Sequence, residues 1–198
     1  MESKNHLNLK EPFKPLRKLW HLFGGIIPLI YLFILRGRGA GLLFLAPILL
    51  GFLLFDILRL KNAELNERIF NYLSTIILEK DRNQLSGSTY FLLSSFITIL
   101  LFKREIAVVA ILFMSLGDTV AAIIGNRFGK TAIFGKTLEG SLGCFIFCFF
   151  VSLFFFDIWV SLGGALTASL IEILPLRLDD NLLIPPVSGA VLTLLTKL

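Results

Sequence analysis

The sequence predicts an all-α integral membrane protein, a polytopic bundle of about seven transmembrane helices with one amphipathic surface helix. Three observations favour this class. Of the 198 residues, 56% are hydrophobic and 17% are charged, and the mean hydropathy is +0.82, whereas soluble domains carry about 25% charged residues. The apolar residues gather in seven runs, most of them close to the roughly 20 residues that a membrane span needs. The connections are short, so we expect one membrane-embedded domain over residues 1–198.

The seven apolar runs differ in how clearly they are separated. They lie at residues 19–35, 41–58, 87–102, 106–125, 139–156, 158–174 and 182–196. Asp157 alone separates the fifth run from the sixth, so a six-span chain with one run in the membrane interface is an alternative. Pro185 and Pro186 are expected to break or kink the start of the last span, because proline lacks an N–H donor.

The polar segment 59–86 predicts the surface helix. Its apolar residues recur at helical spacing, which is typical of an amphipathic helix at a membrane surface. These residues are Leu65, Ile69, Phe70, Leu73, Ile76 and Ile77.

The basic residues predict which helix ends face the cytoplasm. With the N-terminus inside and seven spans, the inner segments are 1–18, 59–86, 126–138 and 175–181. These segments hold 14 of the 19 Lys and Arg residues, and the outer segments hold 5, as the positive-inside rule requires. We therefore expect a cytoplasmic N-terminus. The net charge of +5 is attributed to this topology, and no nucleic-acid partner is expected.

Ionisable residues in or beside the spans indicate a candidate site, because charges inside a membrane are costly and usually functional. In the predicted topology all of them lie toward the inner face. They are His21, Asp56, Asp118, Glu139, Glu172, Asp179 and Asp180, with the polar Asn181 beside the last two. Asp118 is the strongest candidate, because apolar residues follow it before any loop begins. For Asp179, helix capping is an equal alternative.

The stretch 117–141 carries groups that suit phosphates. It contains the triplet Gly-Lys-Thr twice, at 129–131 and 135–137. Glycine lets backbone N–H groups approach a phosphate, lysine supplies charge, and threonine bonds phosphate or a metal shell. This is not a Walker A loop, which needs four residues between its glycines, whereas three separate Gly125 from Gly129. Together with nearby carboxylates, the stretch indicates a metal–nucleotide site, since Mg²⁺ takes one or two carboxylates plus phosphate oxygens.

These residues resemble the nucleotide-binding motif of the polyprenol kinase family, which comprises dolichol kinases, phytol kinases and CTP-dependent diacylglycerol kinases. The matching positions are Asp118, Ala121, Gly125, Gly129, Lys130, Lys136, Thr137, Glu139 and Gly140. Three shorter blocks also resemble the family, namely Arg17-Lys18 with Trp20-His21, residues 87–90, and Glu172 with Pro175 and residues 179–181. The segment 59–82 matches less well, and its neighbourhood supplies the weaker candidates Asp56, Arg59 and Arg82.

The resemblance implies a lipid-alcohol kinase that moves the terminal phosphoryl group of CTP, with Mg²⁺, to an isoprenoid alcohol of the dolichol or phytol type or to diacylglycerol. It implies an active site at the cytoplasmic face, in contact with membrane lipids. Catalytic roles are expected for Asp118, Glu139, Glu172 and His21, with Arg17 as a further candidate. Nucleotide-binding roles are expected for Gly125, Gly129, Lys130, Lys136, Thr137 and Gly140. Metal-binding roles are expected for Asp118, Glu139, Asp179, Asp180 and Asn181.

Two other functions remain open at this point. A membrane cytidylyltransferase that makes a CDP-lipid needs similar carboxylates and phosphate-binding groups. A small-molecule or ion transporter is the non-enzyme alternative, with the carboxylates forming an ion path. Against transport, the polar residues gather toward one face and no inverted repeat is evident. The phenylalanines of 145–156 are interpreted mainly as packing residues, with a groove for a lipid tail as the alternative.

Overall fold

A computed structural model describes residues 15–73, 75 and 79–197, and helices dominate this part of the chain. The α-helices are α1 Pro15–Gly24, α2 Ile26–Phe33, α3 Arg38–Lys61, α4 Ala63–Leu73, α5 Gly87–Leu101, α6 Arg104–Leu112, α7 Asp118–Phe128, α8 Leu138–Leu153, α9 Ile158–Ile173 and α10 Asp180–Leu195. Glu79–Asn83 forms a 3₁₀ helix, and Phe113–Gly117 forms a π-helical turn that joins α6 to α7. The strands β1 (Ala132–Ile133) and β2 (Lys136–Thr137) pair as an antiparallel hairpin.

Three helical segments in the described part of the chain are long and apolar enough to cross a membrane. They are Pro15–Phe33, Arg38–Lys61 and Arg104–Phe128, with 19, 24 and 25 residues. The helices α5, α8, α9 and α10 are also apolar but have 15 or 16 residues each. The seven apolar runs thus correspond to seven helical segments, and the all-α membrane class is confirmed. The basic residues of 1–14, and Ile76 and Ile77, lie outside the described residues.

The segment Arg104–Phe128 forms the centre of the bundle. Of its apolar window, 72% is buried, against 22% for each of the two segments that precede it in this group. The helices α2, α5 and α10 pack on α6, while α8 packs on α7. In contrast, α3 leaves side chains such as Leu43 and Leu50 exposed. Apolar side chains that face outward on a membrane helix are those that contact lipid.

The π-helical turn stands directly before Asp118. Its last residue, Gly117, lies so close to α8 that a Cβ atom there would come within 2.8 Å of the Cys148 Sγ atom and 3.2 Å of the Cys144 Sγ atom. Both cysteines are buried, with their Sγ atoms 3.9 Å apart. Single π turns within α-helices occur often at functional sites, and this one ends at the strongest candidate residue.

Two details predicted from the sequence agree with the structure. Asp157 separates two helices, because it is the N-cap of α9 and its Oδ1 accepts hydrogen bonds from the backbone N–H groups of Trp159 at 2.9 Å and Val160 at 3.1 Å. The polar segment after α3 forms α4, which buries Phe70 on its apolar side.

Of the break or kink expected at Pro185 and Pro186, the break is wrong, because α10 runs unbroken from Asp180 to Leu195 with both prolines inside it; the kink stays a prediction. Pro185 has no N–H to donate to the carbonyl four residues earlier, which belongs to Asn181. The Ser94 hydroxyl of α5 donates to that carbonyl at 2.6 Å instead. A neighbouring helix thus satisfies the backbone group that the proline leaves without an intrahelical partner, as membrane helices require.

Candidate active site

A cavity of about 560 Å³ lies at one end of the bundle. The start of α1, the segment that contains the 3₁₀ helix, α7, the β-hairpin, the end of α9 and the start of α10 all line it. These parts belong to, or directly adjoin, the four segments that the basic residues assign to the inner side. The structure therefore brings together stretches that are far apart in the sequence.

Charged side chains of both signs line this cavity. The cations are Arg17, Lys18, Lys80, Lys136 and Arg177, and the anions are Asp118, Glu172, Asp179 and Asp180. Lysine and arginine bind phosphate oxygens, while carboxylates bind hard divalent cations. The mixture is suited to a metal-bound polyphosphate.

Asp118 pairs with a lysine of α1. The Lys18 Nζ atom donates to Asp118 Oδ2 at 2.7 Å, and the two side chains are 13% and 14% exposed. His21, one turn further along α1, is buried and interacts electrostatically with Asp118. The N-terminal helix thus supplies both the counterion and a second polar neighbour for this carboxylate.

Lys136 on β2 is the centre of a second cluster. Its Nζ atom lies 2.6 Å from Asp180 Oδ2 and 3.2 Å from Glu172 Oε1, and it also donates to the Glu172 carbonyl. The Ser141 hydroxyl donates to Glu172 Oε2 at 2.7 Å. Burial acts to lower the pKa of Lys136, but the carboxylates of Asp180 and Glu172 outweigh it and raise that pKa above its usual value. Lys136 therefore keeps its charge at the edge of the cavity.

Asp179 caps a helix, which was one of the two interpretations of this residue, and it also lines the cavity. Its Oδ1 atom accepts a hydrogen bond from the Asn181 backbone N–H at 3.0 Å and so caps α10, and its Oδ2 atom lies 3.0 Å from Lys80 Nζ. Burial acts to raise the pKa of Asp179, but Lys80 and the Asn181 hydrogen bonds hold it below its usual value. The buried Asn181 Oδ1 atom accepts no hydrogen bond from any described residue.

The glycines of the motif serve close packing around Thr137. A Cβ atom at Gly125 would meet the Thr137 Oγ1 atom at 2.5 Å, one at Gly129 would meet its Cγ2 atom at 2.6 Å, and one at Gly140 would meet the Ala121 carbonyl at 2.6 Å. Thr137 also caps α8, because its Oγ1 atom accepts from the Gly140 N–H at 3.2 Å. The spacing of these glycines therefore lets α7, the hairpin and α8 meet beside the cavity.

The structure does not bring every candidate residue to the cavity. The cavity is lined by four of the motif residues, Gly125, Lys136, Thr137 and Gly140. Within the part of the chain that the structure describes, Gly129, Lys130 and Glu139 do not line it. Glu139 instead accepts hydrogen bonds from the Thr131 backbone N–H at 3.2 and 3.3 Å. Lys130 is exposed on the surface.

Asp56 and Arg59, both fully buried, lie outside the cavity and hold a segment that lines it. The Arg59 Nε atom donates to Asp56 Oδ1 at 2.8 Å, and its other nitrogens donate to the carbonyls of Asp81 at 2.9 Å and Gln84 at 2.7 Å. Asp56 Oδ2 accepts from Thr89 at 2.6 Å and from the Ser86 N–H at 2.8 Å. We call this group of contacts the Asp56–Arg59 clamp. Arg82 lies at the surface and pairs with Glu67 and Glu79.

Sequence reasoning missed part of the lining. Lys80, Arg177 and Phe134 face the cavity, but their spacing gives no sign of it. Lys18 lies in a block that resembles the family, and this resemblance was the sequence feature that could have identified it as a lining residue. Phe134 has φ 51° and Gly135 has φ 83°, which suits the two-residue hairpin turn in which both central residues have positive φ. That turn directs the exposed Phe134 side chain to the cavity.

Comparison with known proteins gives relatives of two kinds. The chain is 32% identical over 186 residues to an uncharacterized protein of Rickettsia prowazekii, with 87% of this chain and 90% of that protein covered. It is 29% identical over 150 residues to CTP-dependent diacylglycerol kinase 1 of Schizosaccharomyces pombe, with 65% and 69% covered. It is 31% identical over 123 residues to the chloroplastic phytol kinase 1 of Arabidopsis thaliana, with 51% of this chain and 40% of that protein covered. No protein-family model matches the chain, and no solved structure matches it.

The protein is a helical membrane bundle with a charged cavity at one end, and its sequence is similar to those of lipid kinases. These findings define its class as the membrane phosphotransferases with an alcohol acceptor. The chain belongs to the polyprenol kinase family, the family of the diacylglycerol and phytol kinases. The resemblance to this family that the sequence predicts is thereby confirmed.

Proposed function

We propose that this protein is a CTP-dependent kinase that phosphorylates a long-chain lipid alcohol, of the isoprenoid type or diacylglycerol, at the cytoplasmic face of a membrane. One observation carries the proposal: five cations and four carboxylates line one cavity at the helix ends of an apolar bundle. A lipid hydroxyl lies at the depth of the headgroups, so a kinase acting on it needs its nucleotide site at helix ends. The activities of the named relatives support CTP as donor and a lipid alcohol as acceptor.

The chemistry needs charge neutralisation and positioning more than covalent help. The alcohol oxygen forms a bond to the terminal phosphorus, the bond from that phosphorus to the bridging oxygen of the leaving CDP breaks, and the hydroxyl proton passes to a carboxylate. Asp118 and Glu172 are carboxylates of the cavity that can take this proton, a role worth roughly 10²–10⁴-fold in rate. Lys18, Lys80 and Lys136 already lie against carboxylates at the cavity wall, where they can turn to phosphate oxygens.

The residues fit a magnesium ion carried by the nucleotide. Among the described residues, no group of three or more His, Cys, Asp and Glu side chains is placed to hold a metal by itself. A metal held mainly by phosphates needs one or two carboxylates, and Asp118, Asp179 and Asp180 line the cavity together with the unsatisfied amide oxygen of Asn181. We assign Asp118 and Asp180 as its carboxylates. When bound, the ion would neutralise phosphate charge.

The test is incubation of the purified protein with labelled CTP and a lipid alcohol. Formation of CDP and a lipid monophosphate supports the kinase. A parallel reaction with CTP and a lipid monophosphate tests the alternative: formation of pyrophosphate and a CDP-lipid there would replace the kinase with a cytidylyltransferase. Absence of turnover in both reactions would favour transport. A matched reaction with EDTA tests the metal, because chelation should abolish the kinase reaction.

A further inference from the structure

A second, apolar groove of about 220 Å³ lies beside the charged cavity. Helices α1, α2, α3 and α5 form its walls, and its polar groups are His21 at one side and the Ser88 hydroxyl. Its other walls include Trp20, Ile48 and Phe52. The phosphoryl-transfer step itself involves residues of the cavity and none of this groove.

The groove and the cavity share two helices. From α1, Lys18 lines the cavity and His21 lines the groove; from α5, Tyr90 lines the cavity and Phe91 lines the groove. His21 is buried and interacts electrostatically with Asp118, which belongs to the cavity. Lys18, which lies one turn before His21 on α1, donates to Asp118 at 2.7 Å. The end of the groove at His21 therefore lies close to this carboxylate of the cavity.

The groove is accessible from the lipid side of the bundle. Trp20 and Phe23 at its edge are 46% and 57% exposed, and both belong to a candidate membrane span. The Trp20 indole N–H donates to the Ser88 hydroxyl at 2.9 Å, which fixes the edge of the groove by joining α1 to α5. A hydrocarbon chain can thus enter from the bilayer without crossing water.

We propose that this groove binds the hydrocarbon chain of the acceptor alcohol and places its hydroxyl between His21 and Asp118. The inference rests on the proposed kinase function and adds the site of the second substrate. The groove is smaller than the roughly 300–1,000 Å³ of pockets that enclose a drug-sized ligand, so it holds part of one chain. A diacylglycerol carries two chains that diverge beside its hydroxyl, and the groove therefore favours single-chain alcohols. None of the phenylalanines of 145–156 lines it.

The first test fills the groove by one substitution on α3. Ile48→Phe places a phenyl ring in the groove, whereas the control Leu50→Phe adds the same ring to a side chain that is 64% exposed. With farnesol as acceptor, Ile48→Phe should raise the KM for farnesol about tenfold or more, as altering a hydrophobic pocket by a few carbons does, and leave the KM for CTP unchanged. Leu50→Phe should change neither. An unchanged KM for farnesol in a folded Ile48→Phe protein would overturn the proposal.

The second test does not depend on phosphoryl transfer or on the folding of a variant. A farnesol analogue carrying a photoreactive diazirine is cross-linked to the unmodified protein in nanodiscs, and the labelled residues are identified by mass spectrometry. Labels on groove residues such as Phe52, removed by excess farnesol and not by diacylglycerol, support the proposal. Labels confined to lipid-facing residues such as Leu43, or equal competition by diacylglycerol, overturn it.

The two tests separate the groove from the proposed function. Groove labelling in a protein that phosphorylates no alcohol would reject the kinase and keep the binding site. Phosphorylation of farnesol with labelling elsewhere would keep the kinase and reject the groove.

Discussion

Asp118 carries a carboxylate at the end of the π-helical turn in the central helix, and its contact with Lys18 determines what its substitution should do. Asp118→Asn keeps the shape, removes the charge and leaves Lys18 beside a neutral amide. We expect loss of kinase activity together with a lower melting temperature. The stability loss should be about 1–3 kcal/mol, as for a buried group deprived of its partner, because both side chains retain some exposure, 13% and 14%.

A double variant separates the two effects. Asp118→Asn combined with Lys18→Met removes the stranded charge and should restore the melting temperature without restoring phosphoryl transfer. Differential scanning fluorimetry and the CTP assay measure the two quantities on the same samples. Recovery of activity in the double variant would mean that Asp118 serves only to balance Lys18.

The two Gly-Lys-Thr triplets look equivalent in the sequence but occupy different places in the structure. Lys136 lines the cavity beside Asp180 and Glu172, whereas Lys130 is exposed away from it. Lys136→Met should lower kcat/KM for CTP by about 10–100-fold, which corresponds to the roughly 1.5–3 kcal/mol of a hydrogen bond to a charged group. Lys130→Met, the matched control, should remain near wild type in steady-state kinetics. Similar losses in both variants would contradict this assignment.

At the residue scale, the sequence predicted those candidates whose chemistry is out of place in a membrane. Asp118, Glu172 and Asp180 stand in or beside apolar runs, and all three line the cavity. Lys80 and Arg177 were missed, because a lysine or arginine in a polar connection is ordinary. Whether such a residue faces the cavity depends on how its loop folds back, which tertiary contacts decide.

At the element scale, the Asp56–Arg59 clamp links the end of α3 to the segment 79–86. Arg59 is fully buried and donates hydrogen bonds to the side chains of Asp56 and Asn66 and to two backbone carbonyls. The carbonyls belong to the segment that carries Lys80 and Gln84 to the cavity. The clamp is therefore a positioning device: it holds lining residues without lining the cavity itself.

Arg59→Met should destabilise the protein strongly, because it leaves the buried Asp56 without its cation. Breaking a buried pair from one side costs about 3–5 kcal/mol, and displacement of Lys80 should also raise the KM for CTP. Arg82→Met is the control, since Arg82 lies on the same segment and pairs with the exposed Glu79 and with the exposed Glu67 of α4, and it should change the melting temperature little. Thermal unfolding measures the change in melting temperature, and steady-state kinetics measure the KM for CTP. If Arg59→Met melted like wild type, the buried pair would not support the segment.

The sequence predicted the helices well because apolar runs bounded by polar residues leave few alternatives in a membrane. It did not predict the π-helical turn at Phe113–Gly117, whose last residue packs closely against α8. It also predicted a break at Pro185 that Ser94 removes by satisfying the Asn181 carbonyl. Both cases turn on a contact with another helix, and local patterns carry no information about such contacts.

At the scale of the whole molecule, the distribution of basic residues and the position of the cavity indicate the same end of the bundle. The segments 1–18, 59–86, 126–138 and 175–181 hold most of the basic residues, and each contributes described residues to the same cavity. Had the chain crossed the membrane differently, these segments would divide between two faces. This agreement supports a site at the cytoplasmic face, and it makes the sidedness testable.

Single cysteines in a background without Cys144 and Cys148 test that sidedness. Cysteines placed at Gln84 and Ile133 should react with a membrane-impermeant maleimide from the cytoplasmic side alone, because both belong to predicted inner segments. A cysteine at the exposed Lys103, between α5 and α6, should react from the opposite side and serves as the control.

Because Gln84 lines the cavity, CTP should slow the labelling at 84 and leave that at 133 and 103 unchanged. Each variant must retain kinase activity, since replacing the cysteines removes atoms that pack against Gly117. Labelling of 84 or 133 from outside, or of all three positions from one side, would contradict the seven-span topology and the cytoplasmic site.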